Sequence, residues 1–254
     1  MSIVEIEEVT FSYNNEPVVR GADFCLEEGD FAAFIGPNGS GKSTLIKMLL
    51  GQLAPDQGEI RILGKPVSEL ADWTKIGYIS QQVREFNQGF PATVREVVGS
   101  NLYKEMGFFH ILDDKLKTRI KSALELVEME DYIDRLIGNL SGGQQQRVFI
   151  ARMMVNDPEL ILLDEPLSGV DITTQDEFYH IIGDINERLN KTVIMVSHDV
   201  NVISSKANYV VCFEQGEVHL HLADEFSYED YMTSLRDSNL RMVPDHDHGS
   251  GACS

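Results

Sequence analysis

Residues 30–49 read DFAAFIGPNGSGKSTLIKML. A nearly continuous apolar run from Phe31 to Ile35 ends in a glycine-rich loop, and a helical pattern follows at once. Such a run suits a strand buried on both faces. The loop GPNGSGKST, Gly36 to Thr44, fits G-x-x-x-x-G-K-[ST], and the strand–loop–helix context is the one in which that pattern holds phosphate. Gly36, Gly39 and Gly41, with Pro37, Asn38 and Ser40 between them, let the backbone curl so that its N–H groups face an anion. The following helix offers its positive end to the same anion. Lys42 is expected to reach the outer phosphates. The Ser43 hydroxyl, followed by Thr44, is expected to ligate Mg2+.

A matching acid lies far downstream in LILLDEP, Leu160 to Pro166. Asp164, at the end of an apolar strand pattern, can hold Mg2+ opposite Ser43. Glu165 is placed to polarise a water molecule for attack on a phosphate. Alone, an acidic pair after a strand is often a helix cap; beside a phosphate loop it reads as catalytic. A second glycine pair stands in LSGGQQQ, Leu140 to Gln146, with no lysine nearby. Ser141 sits at the cap position of a helical pattern, and Gly142 and Gly143 permit close backbone approach. Such a stretch can complete a phosphate site built elsewhere but makes a poor one alone.

Around these motifs the chain alternates strands and helices. The runs IVEIEEVTFSY and PVVRGADFCLEEG alternate like half-buried strands, and EIRILGKPV and KIGYISQQ read as two more. From about residue 86 to 157 helical patterns dominate, including LKTRIKSALELVEMEDYIDR and GQQQRVFIARMMV. Strands return in LILLD and TVIMVSHD around the helical TQDEFYHIIGDINERLN, and NYVVCFEQGEVHLHL reads as a hairpin about EQG. That order implies an α/β fold, a parallel sheet with crossover helices interrupted by a helical insertion. Thr93 and Glu96 have the spacing of a capping box. Cys25 and Cys212 fall in strand patterns and read as small core residues. Trp73 carries no functional signal.

The bulk numbers narrow the function classes. The chain has 254 residues and a formal net charge of −20, which disfavours binding to nucleic-acid backbones and to anionic lipid. Three cysteines form no disulfide framework, as expected in a reducing compartment. No signal-peptide pattern opens the sequence, and no apolar run has the length to span a bilayer.

Together the motifs resemble those of the ATP-binding subunits of ABC transporters, in the family's order from about Val4 to Gly216. GPNGSGKST resembles the Walker A loop, LSGGQ the signature and LILLDEP the Walker B strand. SGVD, Ser168 to Asp171, resembles the D-loop, and VSHD carries a switch histidine, His198. Gln81 fits the Q-loop position, with Gln82 one residue away as the other register. Tyr13 fits the aromatic that stacks on adenine. The resemblance implies a P-loop NTPase fold with a RecA-like parallel-sheet core, an N-terminal antiparallel β subdomain and an inserted α-helical subdomain. The implied bounds are 1–222 for the ATPase domain, with core 1–85 and 159–222 and helical subdomain 86–158, and an acidic extension over 223–254.

It further implies ATP and Mg2+ as cofactors and a head-to-tail homodimer. Ser141, Gly142, Gly143 and Gln144 of one copy would contact ATP held by the other, with Asp171 linking the two. Lys42, Glu165, His198 and Gln81 would form the catalytic set, and Ser43, Gln81 and Asp164 would surround Mg2+. The stretch FPATVREVV and the GVD of the D-loop resemble the subfamily serving zinc, manganese and chelated-iron importers, with zinc the leading cargo. An exporter, or a soluble ABC ATPase outside transport, is the alternative. The import reading implies a polytopic membrane permease, an extracytoplasmic solute-binding protein and a cytoplasmic position at the inner face of the membrane. Phe86, Phe90 and Val94 would pack against a coupling helix of the permease. In the tail, His246, His248 and Cys253 stand beside Asp245 and Asp247. They could ligate a metal, or the tail could serve only as an acidic solubilising segment. His219 and His221 share one face of a strand pattern.

Overall fold

The computed structural model describes residues 1–80, 90–107, 112–167, 172–197, 206–227, 231 and 233. The chain divides into two compact units, Met1–Ala71 with Leu163–Glu165 and Asn190–Ser254, and Asp72–Leu162 with Pro166–Leu189.

In the first unit, β1 (Ser2–Tyr13) and β2 (Glu16–Glu27) pair antiparallel. Asn14 and Asn15 join them with positive φ, 51° and 65°, the conformation a two-residue hairpin turn demands and Asn tolerates. β4 (Gln57–Ile62) pairs antiparallel with β1, and the short β5 (Lys65–Pro66) pairs with β4. A bulge at Glu8, φ 50°, shifts the register between Ile6 and Val9 and keeps both of those side chains buried.

The second sheet of this unit is parallel at its centre. β3 (Phe31–Ile35) lies between β8 (Thr192–Val196) and β9 (Tyr209–Glu214), parallel to both. β10 (Glu217–Leu222) returns antiparallel on β9, through Gln215 and Gly216 at φ 49° and 90°, the hairpin expected about EQG. The end of β7 (Leu160–Asp164) lies beside β8. Every residue of β3 and β8 is buried, as strands covered on both faces must be. Phe34 joins the two sheets, its ring 6.2 Å from that of Phe24 in β2 and 5.2 Å from that of Phe213 in β9. The helix α1 (Lys42–Leu49) follows β3 and buries Leu45, Ile46 and Leu49.

The second unit holds β6 (Ile76–Ile79), next to the start of β7, with α2 (Val94–Gly99), α3 (Asp114–Glu125), α4 (Gly142–Met154) and α5 (Ile172–Leu189). Val94, Val98, Leu102, Ile120, Leu124, Val148 and Ile150 are fully buried. The capping box is present: the Thr93 N–H donates to Glu96 Oε2 at 2.7 Å, and the Glu96 N–H donates to Thr93 Oγ1 at 3.3 Å.

Three expectations change. The helical pattern over Leu116 to Arg135 is not one helix. α3 stops at Glu125, Glu128 turns at φ 56°, and a 3-10 turn covers Glu130–Tyr132. Val127 and Met129 are both buried; residues two apart point to different sides of a helix, so the chain must turn to bury both. Val94 is 0% exposed, so it belongs to the chain's own core and faces no partner, whereas Phe90 remains 45% exposed. Cys212 is buried in the core as expected, but Cys25 on β2 is only half-buried. No helix among the described residues is long and apolar enough to cross a membrane.

Thr93→Ala should cost about 1 kcal/mol, read as a lower urea midpoint of unfolding, while Glu96→Gln, which preserves the box, should cost less. Equal effects of the two substitutions would contradict the cap.

Candidate nucleotide-binding site

β3 ends at Ile35 and α1 begins at Lys42, so residues 36–41 leave the sheet at its carboxyl edge. Gly41 is the N-cap of α1 at φ 107°, and a Cβ there would come within 2.7 Å of the Val18 carbonyl oxygen. Only glycine fits. Lys42 is 4% exposed, and its Nζ donates to the carbonyl oxygens of Gly36 at 2.8 Å and Pro37 at 2.7 Å. Burial holds its pKa below that of an ordinary lysine, with the charges of Glu165 and Asp164 acting the other way.

Ser43 Oγ donates to Asp164 Oδ1 at 3.3 Å, joining residues 121 apart in sequence. Burial pushes the Asp164 carboxyl above the usual range, and the Glu165 charge adds to that; the Ser43 hydrogen bond, Lys47 and Lys42 oppose it. Glu165 adopts φ 49°, with its N–H donating to the Val196 carbonyl at 3.1 Å. A left-handed glutamate immediately before proline is strained by about 1 kcal/mol or more. Ser40 Oγ is buried without a hydrogen-bond partner. Thr44 is buried, and Gly39 faces open space. Tyr13, at the end of β1, is 42% exposed and packs edge-on against Phe11, with ring centroids 4.8 Å apart.

These residues fit a nucleotide phosphate with Mg2+. The loop has a buried cation resting on its own carbonyls and a buried hydroxyl that lacks a partner. Ser43 and Asp164 supply two adjacent hard oxygen donors, the kind Mg2+ takes.

In the second unit, Ser141 is the N-cap of α4. The Gln144 N–H donates to Ser141 Oγ at 3.3 Å, and the Ser141 N–H donates to Gln144 Oε1 at 3.1 Å. The Gln144 side chain therefore serves the cap. Ser141 and Gly142 are exposed and Gly143 is half-buried, so the first turn of α4 presents its N–H groups outward, as an anion site at a helix end does. Beside it lies a cavity of about 770 Å³ bounded by Tyr132, Ser141, Gly143, Arg147 and Phe178.

Gln81, Gln82, Phe86, Ser168, Asp171, His198, Asp245, His246, Asp247, His248 and Cys253 lie outside the described residues. Among the described residues no group of three or more His, Cys, Asp or Glu could hold a metal. His219 Nε2 stands 3.4 Å from Glu217 Oε2, and His221 packs on the Phe226 ring, with centroids 5.7 Å apart. Sequence reading overlooked two cations. Lys47, in the last turn of α1, acts on Asp164, and Arg147 pairs with two carboxylates beside the second glycine pair. For each, the only available signal was its spacing from a motif on the same helix.

A raised carboxyl pKa means that the folded chain holds its proton more tightly than the unfolded one. The stability Asp164 contributes is thus present below its unfolded pKa and is lost as pH rises through the folded value. Asp164→Asn should accordingly raise the Tm of the nucleotide-free chain at pH 7, by roughly 2 °C, and the gain should vanish near pH 3. A Tm unchanged or lowered at pH 7 would contradict the buried-carboxylate account.

Residues 19–168 match the family model described as ABC transporter. The chain is 41% identical over 251 residues to the zinc uptake system ATP-binding protein ZurA of Listeria innocua, covering 99% of this chain and 96% of that one. It is 40% identical over 217 residues to the high-affinity zinc uptake system ATP-binding protein ZnuC of Bacillus subtilis, covering 85% and 93%. Among solved structures it is similar to the ATP-binding cassette MJ0796 in a dimeric post-hydrolysis state bound to ADP and Pi. That likeness has a TM-score of 0.70 and 29% identity, covering 88% of this chain and 100% of that one. Likeness over nearly the full length of both partners, on top of a phosphate loop joined to its acidic strand, makes the chain an ATP-binding member of the ABC transporter family.

Proposed function

We propose that the chain is the ATPase subunit of a metal-ion importer, hydrolysing ATP to drive zinc through a separate membrane permease. The observation that carries the ATPase reading is the Ser43–Asp164 contact, which unites the phosphate loop with the acidic strand. The zinc reading is supported by two relatives named for zinc uptake at 41% and 40% identity.

In this reading Lys42 exchanges the Gly36 and Pro37 carbonyls for phosphate oxygens, and Ser40 gains the partner its hydroxyl lacks. Tyr13 takes the adenine, and the backbone of residues 36–44 surrounds the phosphates. Ser43 and Asp164, with Gln81, hold Mg2+, which when bound neutralises charge on the phosphates. Glu165 orients a water and accepts its proton as the oxygen attacks the terminal phosphorus and ADP leaves. His198 holds the terminal phosphate. Ser141, Gly142 and Gly143 reach the nucleotide of a second copy, with Gln144 fixing their helix end and Asp171 lying across the dimer. The helical segment 86–158 takes the permease at the inner face of the membrane, with Phe90, 45% exposed, among the contacts.

Lys42→Ala should weaken ATP binding by about tenfold or more, as loss of a charged hydrogen-bond donor does. Glu165→Gln should bind ATP normally and accumulate as an ATP-bound dimer. Normal hydrolysis by Glu165→Gln would remove Glu165 from its role. For the cargo, a strain lacking the gene should fail to grow in chelator-treated medium and recover with added zinc. Recovery with manganese or iron alone would reassign the metal and leave the ATPase reading standing.

A further inference from the structure

The geometry points to Arg147 as a positioning residue that fastens the capped helix α4 to α5, so that the end of α4 expected to face the second copy keeps one direction. This inference rests on the proposed dimeric ATPase.

Arg147 lies in the second turn of α4, past Ser141 and Gly143. Its side chain is only 22% exposed. Nη1 donates to the Val127 carbonyl at 3.3 Å and to Glu128 Oε2 at 3.2 Å, while Nη2 donates to Glu177 Oε2 at 3.0 Å. One planar fork thus spans two carboxylates and a carbonyl, which the single ammonium of lysine cannot do. Glu177 belongs to α5 and Glu128 to the turn that ends the α3 region. Glu128 is 85% exposed against 49% for Glu177, so the anchor on α5 is the better-ordered of the two.

The seam also closes nearer the helix ends. A Cβ on Gly143 would sit 3.2 Å from Thr174 Cγ2, so the first turn of α4 lies against the start of α5. That helix begins at Ile172, immediately after Asp171. The helix that bears residues 141–143 is therefore joined by Arg147 to the helix whose first residue, Ile172, follows Asp171 in sequence. With the fork intact, the N–H groups of the α4 end hold one direction relative to α5. With the fork removed, that end is free to tilt, and closure on the second copy's nucleotide must first restore its direction. Binding of ATP to the monomer rests on Tyr13, residues 36–44 and Asp164, none of which touches Arg147.

The full-length chain carrying Glu165→Gln provides the test, with dimer dissociation measured by sedimentation in Mg·ATP and monomer affinity measured by a fluorescent nucleotide. Arg147→Ala and Glu177→Ala should each weaken the dimer by about fivefold, as loss of a partly exposed charge-assisted pair does at most. Monomer affinity should stay within about twofold, since the sites share no partner. The double variant should lose no more than Arg147→Ala alone, and Arg147→Lys should recover only part. With Glu165 restored, the hydrolysis rate of Arg147→Ala should climb with protein concentration to the parental plateau. A merely structural defect would not produce that recovery. If Arg147→Ala fails to fold, Glu177→Ala, on a half-exposed helical position, carries the test. Parental dimerisation in Glu177→Ala, or an equal loss of monomer affinity, overturns the inference. A Glu165→Gln parent that does not dimerise with ATP overturns the dimeric reading and the inference with it.

Discussion

Burial of β3 on both faces is the constraint from which the nucleotide site follows. Phe31 to Ile35 have no solvent-facing side, and the strand is hemmed in by parallel neighbours β8 and β9. Parallel strands deliver their following loops to one edge, and ligands of open α/β sheets bind there. The loop 36–41 and the end of β7 with Asp164 and Glu165 thus arrive together, although the Ser43–Asp164 hydrogen bond links residues 121 apart. Phe34, set between Phe24 and Phe213, packs that sheet against the antiparallel one.

The electrostatics of this edge are costly to the fold. Burial lowers the lysine pKa at Lys42 and raises the carboxyl pKa at Asp164, so each charge is disfavoured where it stands. Their mutual attraction offsets only part of that, as is usual for buried charges. Lys42 is meanwhile satisfied by two loop carbonyls, Ser40 by nothing, and Glu165 sits in a strained backbone region. A polyanion with a divalent cation relieves several of these costs at once. Stability that these groups withhold from the fold is available as binding energy for such a ligand.

Features set by residues close in sequence were legible before the structure. The Thr93–Glu96 capping box, the EQG hairpin and the buried strand before the phosphate loop each depend on propensities within one turn or one strand. Other features escaped because distant packing decides them. The helical period of Leu116 to Arg135 runs on without a breaker, yet the core draws in both Val127 and Met129 and turns the chain at Glu128. Val94 read as a partner-facing apolar residue, but periodicity cannot say whether an apolar side chain meets its own core or another protein. Arg147 drew no notice, because nothing local shows that Glu128 and Glu177 converge on it.

By itself the sequence determined the class of fold, the phosphate loop, its acidic strand and the capped glycine pair. Each is written in side-chain period or in residues whose conformational freedom a short loop demands. Only the tertiary structure decided that Ser43 meets Asp164, that Lys42 is buried on the carbonyls of its own loop, and that Arg147 ties α4 to α5. The first and last of these join segments that are remote along the chain, and the burial of Lys42 depends on the packing around its loop. Their distances and their desolvation come from the packing of the sheet and helices between them, to which no local pattern is sensitive.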